Sequence, residues 1–309
     1  MDSDALFLVK QLFWQGAYKA CINEATSVDI SDQTDPESLS RAIYAARAHL
    51  ALPSRDISSA LSVLEPALTA DEPAASVRAV KSFAEYLQAE DKASKVEELR
   101  DLVLEYDAEE VNDETREEER IVRSMAGTVF ILEKEVEEAV TTLSEGCGKT
   151  DLECTALLVQ LLLSIHRRDV AQTIYQNAKS FGEDSLLMQI MEAWIGMKTG
   201  GRPLNQSYYL YEELYQLPSG RTPTVLASHA AAHLLLGHVD EAKADILEAQ
   251  QTENGKNDAA VLSVGATLGM PGCFEQLKSV DPSHPSVSEW EAKSREFDEA
   301  AAKFKPVSA

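Results

Sequence analysis

Proline and glycine are scarce in this chain, with 11 and 14 residues among 309. So few breakers exclude the turn-dense pattern of small β-sandwiches and leave room for long helices. Cationic residues are also short: 28 Lys and Arg stand against 52 Asp and Glu, a net charge of −24. A chain this acidic has few cations to displace the counterions of a phosphate backbone, which argues against nucleic acid as a partner. It is also repelled by an anionic lipid surface. Long apolar runs are missing, since the greasiest stretch, Thr155–Ile165, is too short to span a bilayer and holds Gln160. Asp2 and Asp4 stand where a secretory leader carries positive charge, so no leader is expected. The four cysteines, Cys21, Cys147, Cys154 and Cys273, form no CxxC pair. They read as reduced structural thiols of a cytosolic protein.

What the chain does contain is apolar residues at three- and four-residue spacing, as in Leu157, Leu158, Leu161, Leu162 and Ile165. Period-two strand runs are absent. Breakers such as Asp35-Pro36, Leu52-Pro53, Thr222-Pro223 and Asp281-Pro282 separate the periodic blocks, several of them offering an N-cap followed by proline. The reading is some sixteen helices joined by short turns.

A repeat runs through these helices. In Gly237–Ala249 a tight turn leads to Val239, then a small residue (Ala242), a bulky one four on (Ile246) and a small one three further (Ala249). The same frame is anchored at Cys21, Ala60, Ala139, Ala171 and Ser207. The later anchors recur near the ~34-residue period of a tetratricopeptide helix pair. A small anchor lets the second helix approach the first closely, and the bulky residue fills the groove between neighbouring pairs. The expected fold is therefore all-α: a tetratricopeptide-like α-solenoid of antiparallel helix pairs curling into a superhelix. One array is expected over 1–309, with N-terminal repeats over 1–104, an acidic insertion over 105–120, further repeats over 121–282 and a capping helix over 283–309.

Catalytic motifs are poorly represented. Gly146-Cys147-Gly148-Lys149-Thr150 imitates the end of a phosphate loop, but the upstream glycine is replaced by Leu143 and a helical frame precedes it, so it reads as a turn between pairs. His229 and His233 share a helix face, yet Ala230 stands where a zinc hydrolase carries Glu, and no further ligand follows at metal spacing. No metal, cofactor or catalytic residue is nominated. The nine acids of Glu105–Glu119 read as a solvated tract running into a helix. Aromatics are more informative: Trp194 lies on one helix and Tyr208, Tyr209, Tyr211 and Tyr215 crowd the next. Tyr211 fits the bulky core slot, and the others suit either packing or a groove for another protein.

Several segments carry a resemblance in their joint order and spacing: Phe13–Ala25 (FWQGAYKACINEA), Arg78–Leu87 (RAVKSFAEYL), Leu152–Ala156 (LECTA), Ala193–Leu214 (AWIGMKTGGRPLNQSYYLYEEL), and His284-Pro285 leading to Glu289-Trp290, Lys293, Phe297 and Asp298. They resemble the epsilon subunit of coatomer, the COPI vesicle coat, over nearly the whole chain. The resemblance implies a non-catalytic tetratricopeptide protein that curls around the C-terminal region of the coatomer alpha subunit. Through that partner it would join the rest of coatomer, peripheral on Golgi and vesicle membranes without inserting into them, in Golgi-to-ER and intra-Golgi transport. The resemblance also allows a small β-hairpin that periodicity would miss. First helices line the inner face of such arrays, which nominates Met191, Trp194, His229 and His233 for partner contact, with Tyr208 and Tyr209 added from the aromatic cluster. Two alternatives stand beside this. A co-chaperone adaptor for acidic peptides would need several cations on its first helices, where Lys10 is nearly alone. A helical enzyme would need a pocket of perturbed titratable groups.

Overall fold

The computed structural model describes residues 6–107, 115–182 and 184–304. Seventeen α-helices and two short 3₁₀ turns account for these residues, and no strand occurs among them. The small hairpin allowed above is thus absent from the described residues. The helices form successive pairs: α1 (Phe7–Trp14) with α2 (Tyr18–Ala25), α3 (Pro36–Ala51) with α4 (Ile57–Leu68), α5 (Ala75–Gln88) with α6 (Ala93–Asp107), and α7 (Arg116–Leu132) with α8 (Val136–Ser144). Then come α9 (Leu152–Ser164) with α10 (Arg168–Gly182), α11 (Leu186–Thr199) with α12 (Gly201–Gln216), α13 (Pro223–Leu236) with α14 (Val239–Gln251), α15 (Ala259–Thr267) with α16 (Cys273–Val280), and finally α17 (Pro285–Ala301). The described residues group into two compact units, 1–213 and 214–309, with the boundary inside α12.

Local chemistry explains where the helices begin. Asp35, Asp56, Asp151, Thr222 and Asp258 each accept a hydrogen bond from the backbone N–H three residues on, and Pro36 and Pro223 follow two of these caps. The last helix, α17, starts at Pro285 with His284 as its cap, accepting from the Ser286 N–H, just inside the 283–309 segment expected for it. Gly237 closes α13 in the left-handed conformation (φ 85°), where a Cβ would strain the turn into α14.

The frame read from sequence falls on the second helix of six pairs. Its anchors Cys21, Ala60, Ala139, Ala171, Ser207 and Ala242 are all buried, as are the bulky partners Leu64, Leu143, Tyr175, Tyr211 and Ile246. The eighth pair carries it too: Met270 in the preceding turn, then buried Cys273 and buried Leu277 on α16, repeat the pattern. On α6 the core is instead filled by Val96, Leu99, Leu102 and Val103, all large, which is why no anchor shows there.

One member of the acidic tract departs from the solvated reading, while Glu105, Asp107 and Glu117 are exposed as expected. Asp107 ends α6, Glu117–Glu119 lie in the first turn of α7, and the stretch between, 108–114, is outside the described residues. Glu119 is 2% exposed. It pairs with Arg123 at 2.6 Å, which in turn reaches Asp107 at 2.6 Å and the Thr142 carbonyl at 3.2 Å. The Gly146–Thr150 turn wraps this pair. Cys147 N–H donates to Glu119 Oε1 at 3.0 Å, and a Cβ at Gly146 (φ 54°) would collide with Glu119 and Arg123. The resemblance to a phosphate loop ends here, because a carboxylate of the chain already takes that amide.

Candidate functional site

Within the first unit, the odd-numbered helices α1, α3, α5, α7, α9 and α11 turn side chains toward one cavity of about 330 Å³. Phe13, Trp14, Phe83, Leu157, Gln160 and Trp194 are among its walls. α1 also packs against α11, bringing the first and last of these helices together. The lining is half-buried aromatic and aliphatic surface with one exposed amide, Gln160. Surface of this kind suits an apolar polypeptide segment better than a small polar substrate.

Charge in the cavity is confined to its floor. Glu153 on α9 accepts from the Trp14 indole N–H (3.0 Å), the Tyr44 hydroxyl (2.7 Å) and Arg47 (2.7 Å). Arg120 on α7 lies 3.7 Å from the same carboxylate and donates to the Tyr44 hydroxyl at 3.2 Å. Arg47 sits over the Phe13 ring, 4.7 Å from its centre. Four helices thus meet at one carboxylate. Burial alone would raise Glu153, but Arg47 and Arg120 outweigh it and hold the carboxyl down to about 2. The groove's arginine is therefore already paired, and it offers no free clamp for an acidic peptide.

The cysteines offer no reactive thiol to this unit or the next. All four cysteines are buried and unbridged, and burial pushes Cys21 and Cys147 up to about 12. Such thiols are poor nucleophiles and poor metal ligands at neutral pH.

The six residues nominated for partner contact fall in four places. Trp194 lines the cavity. Met191, one turn away, is fully buried in the packing between α9 and α11, so its side chain has no surface to offer. Tyr209 is 67% exposed and faces a separate, Gln-rich groove of about 480 Å³ between α10, α11 and α12, with half-buried Tyr208 beside it. His229 and His233 are buried inside the second unit, at 3% and 8% exposure. They too have turned inward, because the small residues Ala227, Ala230 and Ala242 draw α13 and α14 together. Phe13, Trp14, Phe83 and Leu157, not nominated from sequence, also line the cavity. The quoted segments FWQGAY and RAVKSFAEYL contain three of them, yet only the approach of α1 to α9 and α11 shows that they face one space.

In the second unit the histidines have company. His229 Nδ1 lies 3.1 Å from Asp245 Oδ2 on α14, and the two imidazoles of His229 and His233 meet edge-on with centres 4.5 Å apart. His233 Nδ1 is 3.3 Å from His238 Nδ1. Tyr215 stacks on His229 at 5.6 Å and donates its hydroxyl to Glu248 (3.1 Å). Burial, with His229 adding to it, lowers the pKa of His233. His229, His233 and Asp245 are the residues that could hold a metal ion, each offering one donor atom within 4.8 Å of the others.

Comparison with known proteins places this architecture. The family model described as coatomer epsilon subunit matches residues 2–305. Coatomer subunit epsilon-1 of Arabidopsis thaliana is 28% identical over 97% of this chain and 97% of its own length. The Caenorhabditis elegans coatomer subunit epsilon is 26% identical over 97% and 98%. Among solved structures, the APC/C hetero-tetramer Cut9–Hcn1 is similar at a TM-score of 0.59, with 13% identity over 93% of this chain and 55% of that one. A tetratricopeptide repeat protein of Parabacteroides merdae follows at 0.53, with 11% identity over 88% and 96%. At such identities the structural likeness speaks for the fold alone, and it agrees with the tetratricopeptide-like array expected from the repeat frame.

Proposed function

Because this chain belongs to the coatomer epsilon subunit family and is a subunit of the COPI coat, we propose that it acts without catalysis as the partner of the coatomer alpha subunit's C-terminal region. It would hold that region in the apolar cavity of its first unit. The observation that supports this most is the convergence of six first helices on one aromatic-lined space whose only charges are internally paired. Affinity would come from apolar burial, not from a charge clamp. Membrane attachment would come through the rest of the coat: no helix among the described residues is long and apolar enough to cross a bilayer, and the −24 charge opposes direct lipid contact. The same attachment would carry the chain into Golgi-to-ER and intra-Golgi transport.

Co-expression with the alpha subunit's C-terminal region tests the reading. A stable one-to-one complex is expected. Leu157→Asp combined with Trp194→Asp should weaken it at least tenfold while the circular dichroism spectrum stays helical. An undiminished complex with that double variant would remove the cavity from the interface, and failure of the wild type to bind the alpha region would remove the reading itself.

A further inference from the structure

The second unit contains a cluster that the coat role does not use. α13 contributes His229 and His233, one turn apart, and α14 contributes Asp245, three residues beyond the small anchor Ala242. The tight approach that Ala242 permits is what brings a carboxylate to a pair of imidazoles. Asp245 is itself mostly buried, with a side chain 13% exposed. A buried carboxylate is costly unless compensated, and among the described residues the ion-pair partner of Asp245 is His229, an imidazole, not Lys or Arg.

We propose that His229, His233 and Asp245 form a binding site for a single divalent transition-metal ion, Zn²⁺ being the best match. Two imidazoles and one carboxylate are borderline ligands that favour Zn²⁺ over Mg²⁺ or Ca²⁺, which prefer oxygen-rich shells. Bonds of about 2.0–2.2 Å to a tetrahedral ion set the donors roughly 3.3–3.6 Å apart. His229 and Asp245 stand slightly closer than this at 3.1 Å, and the full set lies within 4.8 Å, so small side-chain rotations that part the first pair and bring His233 in complete the shell. The surroundings are those of a supported ligand set. Tyr215 stacks on His229 and is held by Glu248, while the 3.3 Å contact with His238 ties His233 to the start of α14. The ion would join α13 to α14 and set a charge of two against the buried carboxylate, giving it full compensation. Three protein ligands leave the fourth position for water. The role is structural: a clasp on one helix pair.

The test uses the full-length, tag-free chain stripped with EDTA and titrated with ZnCl₂. Calorimetry should show one Zn²⁺ per chain, with the thermal midpoint rising by several degrees, and MgCl₂ or CaCl₂ should produce neither effect. Co²⁺ in place of Zn²⁺ should give the intense visible bands of a tetrahedral site. Asp245→Asn and His233→Gln should each weaken Zn²⁺ binding at least tenfold, whereas His166→Asn, an exposed histidine elsewhere, should leave it unchanged. If a ligand variant does not fold, the Co²⁺ spectrum of the wild type decides: bands of an octahedral aquo ion count against the site. No thermal shift in wild type, or undiminished wild-type Zn²⁺ affinity in both ligand variants, would overturn the proposal.

Discussion

Each of the two units sets a carboxylate against polar side chains of its first helices, and the two do so differently. In the first unit, Glu153 is surrounded by Arg47, Arg120, Tyr44 and Trp14, groups that stay charged or donating at any physiological pH. In the second, Asp245 faces His229, with His233 and His238 behind it. Guanidinium fixes its charge, whereas imidazole can be neutral, protonated or metal-bound. The first cluster is therefore a permanent joint between α1, α3, α7 and α9. The second, on the proposal above, would be set by the ion it binds.

That contrast gives its largest effect in deletion of the two carboxylates. Glu153→Ala removes the carboxylate that pairs with buried Arg47 and leaves Arg120 only Glu117 and Asp151, and urea unfolding should show a loss of about 3–5 kcal/mol. Asp245→Asn in metal-free protein keeps the shape and removes one contact to an imidazole, so about 0.5–1.5 kcal/mol is expected. Comparable losses at both positions would erase the distinction. Acid should act on the first cluster in the same sense. Glu153 is held at about 2 when folded, against an ordinary glutamate value of ~4.3. A depressed acid stabilises the fold above the unfolded value, so this contribution is complete above about pH 4.3 and drains away as pH falls toward 2. Near-ultraviolet dichroism, which reports Trp14 and Tyr44, should follow that loss in wild type, and the slope should flatten in Glu153→Gln.

Smaller and common to both units is the packing of the anchors. Ala171→Leu and Ala242→Leu should each cost about 1–3 kcal/mol through overpacking of a helix pair. A neutral outcome at either would mean that the frame does not govern that unit. At the bottom of the scale, the Lys278–Glu291 pair is half-exposed on both sides, and Lys278→Ala should leave the melting temperature unchanged.

The repeat frame was legible in the sequence because it is local: a small residue and a bulky one four apart report a close helix contact whatever the partner. The same logic carried Tyr211 to its core slot. The candidate sites were less legible because they are assembled across pairs. Trp194 could be placed on a first helix, but whether a first-helix residue faces the cavity, like Trp194, or the packing between helices, like Met191, depends on a rotation that periodicity does not resolve. Glu153 lies in the quoted segment LECTA, and only the distant Trp14 and Arg47 show what it does. Asp245 was passed over because it follows His233 on the next helix, beyond the i, i+4 spacing that motifs encode. Glu119 was hidden for another reason: a dense acidic run looks solvated, and one member of it is buried by an arginine four residues on.

The most direct test of the cavity's role is site-specific photo-crosslinking in the complex with the alpha subunit's C-terminal region. A photoreactive residue at Gln160, exposed in the cavity wall, should capture the alpha region, and one at Leu104, 56% exposed on α6, should not. Capture from Leu104 with none from Gln160 would contradict the account.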